Sequence, residues 1–109
     1  MSANISIVIP VYNEEESILT LLDEILKQRE TVQESIEVIV IDDGSQDKTA
    51  KVVGEFCEKN KGFRLLRHIR NKGQSAAVLT GVRWAESEWI LTLDGDGQND
   101  PKDIPLFIE

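Results

Sequence analysis

The sequence predicts an α/β fold, a three-layer sandwich built on a mostly parallel sheet of about four strands. Four short apolar runs alternate with helical patterns along the chain, as in successive βαβ units. The first two runs are almost continuous in Ile and Val, which suits strands covered on both faces. Segments rich in Asp, Asn and Gly follow the runs, and the C-terminal strand ends of open α/β sheets are where ligands bind.

The first strand is expected from about Ile5 to Val11 and the second from about Ile36 to Ile41. A weaker third strand spans Phe63 to Arg67. The fourth, Trp89 to Leu93, reads as a buried strand because Ile90, Leu91 and Leu93 make it apolar. Between the first two runs, Ile18, Leu21, Leu22, Ile25 and Leu26 recur at helical spacing. A second helix carries Ala50, Val53, Phe56 and Cys57, and a third runs from about Gly73 to Ala85. Right-handed crossovers then bring all the strand C-terminal ends to one edge.

Composition narrows the function classes. With 109 residues, 40% of them hydrophobic and 29% charged, the chain has the balance of a single globular domain with a core. A net charge of −8 opposes the basic face that nucleic-acid binding needs, so no DNA or RNA partner is expected. No apolar run reaches the ~18 residues of a membrane span. Met1-Ser-Ala-Asn4 does not resemble the start of a signal peptide, so a cytoplasmic chain is expected. A lone cysteine, Cys57, allows no internal disulfide and reads as a small core residue.

The densest chemistry lies in Asp94-Gly-Asp96-Gly-Gln98 at the end of the fourth run. Side chains two apart on extended chain face the same way, so Asp94 and Asp96 converge on one point. Two carboxylates held together repel, and a divalent cation relieves that; hard oxygen ligands suit Mg2+ or Mn2+. Gly95 and Gly97 let the backbone turn tightly beside a ligand. The alternative is a solvated Asp/Gly turn.

Other strand ends add Pro10-Val-Tyr12-Asn13-Glu14, Asp42-Asp43-Gly-Ser45 and Arg70-Asn-Lys72-Gly73. Tyr12 suits stacking on a base, Glu14 a ribose hydroxyl, and an ionised aspartate the N–H of a base edge. Lys72 and the opening N–H groups of the third helix suit phosphate. Taken singly, each has a structural alternative: Tyr12 as a core cap, Asp43 or Ser45 as a cap of the second helix, Asn71-Lys72-Gly73 as a plain turn. His68 with Arg64, Arg67 and Arg70 reads as a solvated strand edge rather than as catalytic machinery.

Four segments in this order, Val8-Ile-Pro-Val-Tyr-Asn-Glu-Glu15, Val38-Ile-Val-Ile-Asp-Asp-Gly-Ser-Gln-Asp47, Arg70-Asn-Lys-Gly-Gln-Ser-Ala-Ala77 and Leu91-Thr-Leu-Asp-Gly-Asp-Gly-Gln-Asn-Asp-Pro101, resemble the inverting family 2 glycosyltransferases. Their nucleotide-diphospho-sugar domain has the GT-A fold, a Rossmann-like three-layer sandwich. Asn71-x-Gly73-x-x-x-Ala77 and Gln98-Asn-Asp-Pro101 look most like the branch that glycosylates polyprenyl phosphates, such as dolichyl and undecaprenyl phosphate. The resemblance implies that Pro10, Tyr12, Asn13 and Glu14 line the nucleoside pocket and that Asp43, with Asp42, contacts the base. It also implies that Lys72 and Gly73 lie near the nucleoside or the diphosphate, that Gly95 adjoins the donor, and that Asp94, Asp96 and Gln98 form the metal site. No catalytic base is identified within the chain. Enzymes of this family continue past the D-x-D, so residues 1–109 are expected to be one domain, the donor-binding portion of a longer transferase that is inactive alone.

Two rivals stay open. Asp94-Gly-Asp96-Gly97 also resembles the D-x-D-G of haloacid-dehalogenase-like phosphatases, although that motif usually opens the first strand and continues with Thr or Val. A non-catalytic nucleotide-binding module is the other. A helix-loop-helix calcium site is disfavoured because Asn99 and Pro105 stand at its glycine and glutamate positions. A dinucleotide fingerprint fails because Asp100 replaces its third glycine.

Overall fold

The computed structural model describes residues 4–94. The elements run β1 (Ile5–Val11), α1 (Ile18–Arg29), β2 (Ile36–Asp43), α2 (Thr49–Lys59), β3 (Phe63–His68), α3 (Gln74–Trp84) and β4 (Trp89–Thr92). All strand pairings are parallel, in the order β3-β2-β1-β4. The chain winds outward from β1 to β3 and then returns to the far side of β1. That reversal makes a topological switch point beside β1, the usual ligand crevice of open α/β sheets.

Alternation along the strands splits the core in two. Ile5, Ile7, Ile9 and Val11 of β1 pack with Val38 and Val40 of β2, with Ile18, Leu21, Leu22 and Ile25 of α1, and with Val53 and Phe56 of α2. Val8, Ile39 and Ile41 face the other way and meet Ala77 of α3. The sheet is therefore sandwiched between α1 with α2 and α3. Each fully buried aliphatic side chain contributes about 1.5–3 kcal/mol, so these two central strands dominate the favourable side of folding. Phe56 and Phe63 meet edge to face with centroids 5.0 Å apart, which ties α2 to the otherwise weak edge strand β3.

Glycine sets the seat of α3. A Cβ at Gly81 would lie 2.4 Å from Val8 Cγ1 and 2.7 Å from Ile41 Cδ1, so only glycine lets the helix settle this deeply over β1 and β2. The seating has a consequence for β4. Expected to be buried, β4 is largely exposed, with Trp89 at 71%. Among the described residues it has one strand neighbour, β1, while α3 is seated over β1 and β2. Only Leu93, just past its end, is buried, donating its N–H to Val8 O at 3.1 Å.

Sheet pairing also lengthens β2 beyond its apolar run. Asp42 and Asp43 stay in the ladder opposite Arg67 and His68, and both are buried. Cys57 packs half-buried against the larger core cluster, and burial pushes its thiol up to about 11. Among the described residues no helix is long and apolar enough to cross a membrane.

Candidate functional site

The loops after β1 and β2 are built as one unit. Asn13, with φ of 52°, donates its backbone N–H to Ser45 Oγ at 2.8 Å and accepts the Gln46 N–H on Oδ1 at 2.9 Å. Glu14 N–H reaches Thr49 Oγ1 at 2.9 Å, and Glu15 N–H reaches Asp47 Oδ2 at 3.4 Å. Asp47 also takes the Thr49 N–H at 2.9 Å, which caps the entry to α2 in place of the Asp43 or Ser45 caps considered from the sequence. Burial works to raise the Asp47 pKa, but the hydrogen bonds from Thr49 and Glu15 outweigh it and hold the carboxyl below its ordinary range.

These ties assign several predicted residues. Pro10 is buried in β1 beside Ile41 of β2. Tyr12 is 42% exposed at the strand end, which removes the core-cap alternative and leaves its ring accessible. Asn13 clasps the neighbouring loop, and Glu14 accepts the Ser17 hydroxyl at 3.1 Å. A hollow between the loops is lined by Asn13, Glu14, Glu15, Glu16, Ser17 and Asp47. Its four carboxylates make it strongly negative, whereas Lys72 belongs to the side where the chain enters α3.

That side is organised by Asp43. Its Oδ1 accepts the Lys72 N–H at 2.9 Å and its Oδ2 the Gly73 N–H at 2.8 Å, chelating the backbone that enters α3. His68 Nδ1 lies 2.7 Å from Oδ1. Because a carboxylate only accepts, that nitrogen carries the hydrogen. Burial pulls the Asp43 pKa up, yet the bonds from His68, Lys72 and Gly73 and the charge of His68 together hold it below the ordinary carboxylate value. Asp42 is fully occupied too, accepting the Ser45 N–H at 3.3 Å and pairing with Arg67 at 3.2 Å. Gly44 makes this junction possible. At φ +76° it leaves room for a chain that passes so close that a Cβ would lie 2.5 Å from Asn71 N.

Asp94, following β4, accepts from Gln74 Nε2 at 3.3 Å, so the first residue of α3 reaches the first D-x-D carboxylate. Gly95, Asp96 and Gln98 lie outside the described residues.

Of the positions expected to form a solvated edge, Arg67 and Arg70 are exposed, and His68 departs from it. His68 is only 10% exposed, bonded to Asp43 and to Thr80 Oγ1 at 2.8 Å. Arg67 stays exposed while pairing with buried Asp42, Arg64 is half-buried and bonds Glu37 and the Trp84 carbonyl, and Arg70 is exposed as expected. Sequence reasoning missed His68, Thr80 and Gln74, whose partners lie 12 to 25 residues away. Strand register opposite Asp43 was the one available signal for His68.

A parallel α/β sheet with a switch point beside β1 and acidic, basic and aromatic groups at its C-terminal edge has the architecture of the open α/β domains that bind ligands at that edge. The model of glycosyl transferase family 2 matches residues 6–109, and the chain belongs to that family. It is 40% identical over 106 residues to the undecaprenyl-phosphate 4-deoxy-4-formamido-L-arabinose transferase of Proteus mirabilis, a match covering 95% of this chain and 32% of that protein. The chain thus spans about a third of the length of this relative. The S. aureus TarS 1-349 structure superposes with a TM-score of 0.76 at 30% identity, over 96% of this chain and 32% of that one. The Pyrobaculum calidifontis mannosyltransferase PcManGT, in complex with GDP-Man and Mn2+, gives a TM-score of 0.79 at 27% identity, over 94% and 30%. These likenesses give the phosphatase alternative no support.

Proposed function

We propose that residues 1–109 form one domain, the donor-binding portion of a metal-dependent, inverting glycosyltransferase that transfers sugar from a nucleotide diphosphate to a polyprenyl phosphate at the cytoplasmic face of a membrane. The observation that carries this reading is the assembly of Tyr12, Asp43, Lys72, Gly73 and Asp94 from the ends of four strands and the segments that follow them, at one sheet edge. The undecaprenyl-phosphate transferase named for P. mirabilis supports the acceptor class, and the GDP-Man and Mn2+ of the PcManGT complex support the donor class and the metal.

In this reading Pro10, Tyr12, Asn13 and Glu14 border the nucleoside, with Tyr12 stacking on the base. Asp42 and Asp43 hold the neighbouring loops and border the base. The Lys72 ammonium and the amides opening α3 offset the charge of the diphosphate. Asp94 offers the hard oxygen that Mg2+ or Mn2+ prefers, and Gln74 steadies it; Gly95, Asp96 and Gln98 complete the proposed donor and metal segment. Bound there, the cation neutralises charge developing on the leaving diphosphate. The acceptor oxygen attacks the anomeric carbon opposite the diphosphate, the new C–O bond forms as the old one breaks, and the electron pair leaves on the diphosphate. A phosphate acceptor is already anionic near pH 7, so it needs no base from these residues.

Titration of UDP, GDP, CDP and dTDP, each with Mn2+, Mg2+ or chelator, tests the reading. Binding that prefers one base, needs the cation and is lost in Asp94→Ala and Asp96→Ala supports it. Cation-independent binding that both variants retain refutes the metal assignment, and no binding by folded protein refutes the donor site.

A further inference from the structure

The Asp43–His68–Thr80 cluster has a role that nucleotide contacts alone do not explain. A buried imidazole is costly unless both ring nitrogens are satisfied, and here both are, by Asp43 at 2.7 Å and Thr80 at 2.8 Å. Thr80 Oγ1 also lies 3.1 Å from the Ala76 carbonyl. A hydroxyl has a single hydrogen. If Thr80 donates it to Ala76, it accepts from His68 Nε2–H; if it donates to Nε2, the ring is neutral. In both states Nδ1 carries a hydrogen and points it at Asp43. The contact to Asp43 is therefore retained whichever way the hydroxyl turns.

We propose that His68, held by Thr80, is a positioning residue of the donor site: by fixing the Asp43 carboxylate it sets the Lys72–Gly73 backbone at the entrance of α3. This rests on the donor-site reading above. The terminal torsion of an aspartate is broad, and the His68 donor on Oδ1 adds a third point that holds the carboxylate plane in which Oδ1 and Oδ2 chelate two successive amides. β3 supplies that donor from the register position opposite Asp43, and α3 supplies the hydroxyl behind it. The helix that receives the phosphates is thereby keyed to β2 and β3 at once.

The test measures nucleoside diphosphate affinity, urea stability and the Lys72 and Gly73 amide NMR signals in His68→Leu, His68→Gln, His68→Asn and Thr80→Val. An asparagine Nδ2 sits near the place of the imidazole Nδ1 and restores the donor to Asp43. Affinity should fall about tenfold or more in His68→Leu and His68→Gln, corresponding to one charge-assisted hydrogen bond. His68→Asn should stay within about threefold of wild type, with both amide signals near their wild-type positions, and Thr80→Val should fall in between. Folded His68→Leu with wild-type affinity and unmoved amides overturns the proposal, as does failure of His68→Asn to rescue. If His68→Leu does not fold, Thr80→Val with unchanged affinity and amides overturns it. Wild-type protein that binds none of the four diphosphates refutes the donor-site reading instead, a result distinct from the three that overturn the positioning role.

Discussion

Replacing Asp43 with asparagine removes a charge while keeping the shape of the side chain, and the structure fixes what is lost. Three donors converge on the carboxylate: His68 Nδ1 at 2.7 Å, Lys72 N at 2.9 Å and Gly73 N at 2.8 Å. An asparagine that keeps its oxygen toward His68 and Lys72 turns an NH2 against the Gly73 N–H, donor to donor. Losing that bond costs about 1.5–3 kcal/mol, and the other two weaken from charge-assisted to neutral. We therefore expect about 2–4 kcal/mol, a large share of the ~5–15 kcal/mol by which such domains are stable. In urea, with a slope of about 2 kcal/mol per molar, the midpoint should fall by about 1–2 M at pH 7. The pH dependence has a definite sign. The folded-state pKa of Asp43 lies below its ordinary value of 3.8, so the stabilisation is complete above that value. It is lost as pH falls through the folded pKa, and the gap between wild type and Asp43→Asn should close only below about pH 4. Equal urea midpoints at pH 7, or a gap that does not change between pH 7 and the acid range, would refute the reasoning.

Further outcomes follow from the same geometry. Gly81→Ala forces a Cβ into fully buried Val8 and Ile41; overpacking of about 1–3 kcal/mol exceeds the helix-propensity gain of about 1 kcal/mol, so calorimetry should show a lower Tm. Gly44→Ala combines a left-handed φ of +76° with a Cβ 2.5 Å from Asn71 N, and should lower both urea stability and nucleotide affinity. Tyr12→Ala, at an exposed ring, should leave stability within about 0.5 kcal/mol. Loss of base stacking should lower its nucleotide affinity about tenfold by titration calorimetry. Cys57, half-buried with its thiol pushed up to about 11, should react slowly with a disulfide reagent at pH 7 and quickly in urea.

The sequence by itself determined the layered α/β architecture and the edge that carries the chemistry. β1 and β2 are unbroken Ile/Val runs, and helical spacing in α1 to α3 is a local signal that survives without knowledge of neighbours. The same local patterning located the polar strand ends, and four ordered motifs pointed to the family that the comparisons then matched. What the sequence left undecided were relations between distant residues. Apolar character made β4 look buried, but burial depends on what lies on top, and α3, seated by Gly81 on Val8 and Ile41, lies elsewhere. Asp42 and Asp43 look like loop residues until β3 presents Arg67 and His68 beside them and draws them into the ladder. His68 reads as surface because histidine beside arginines on a weak strand has no local reason to be buried. Its two partners come from β2 and from the second turn of α3, and only the parallel crossover brings both to one imidazole.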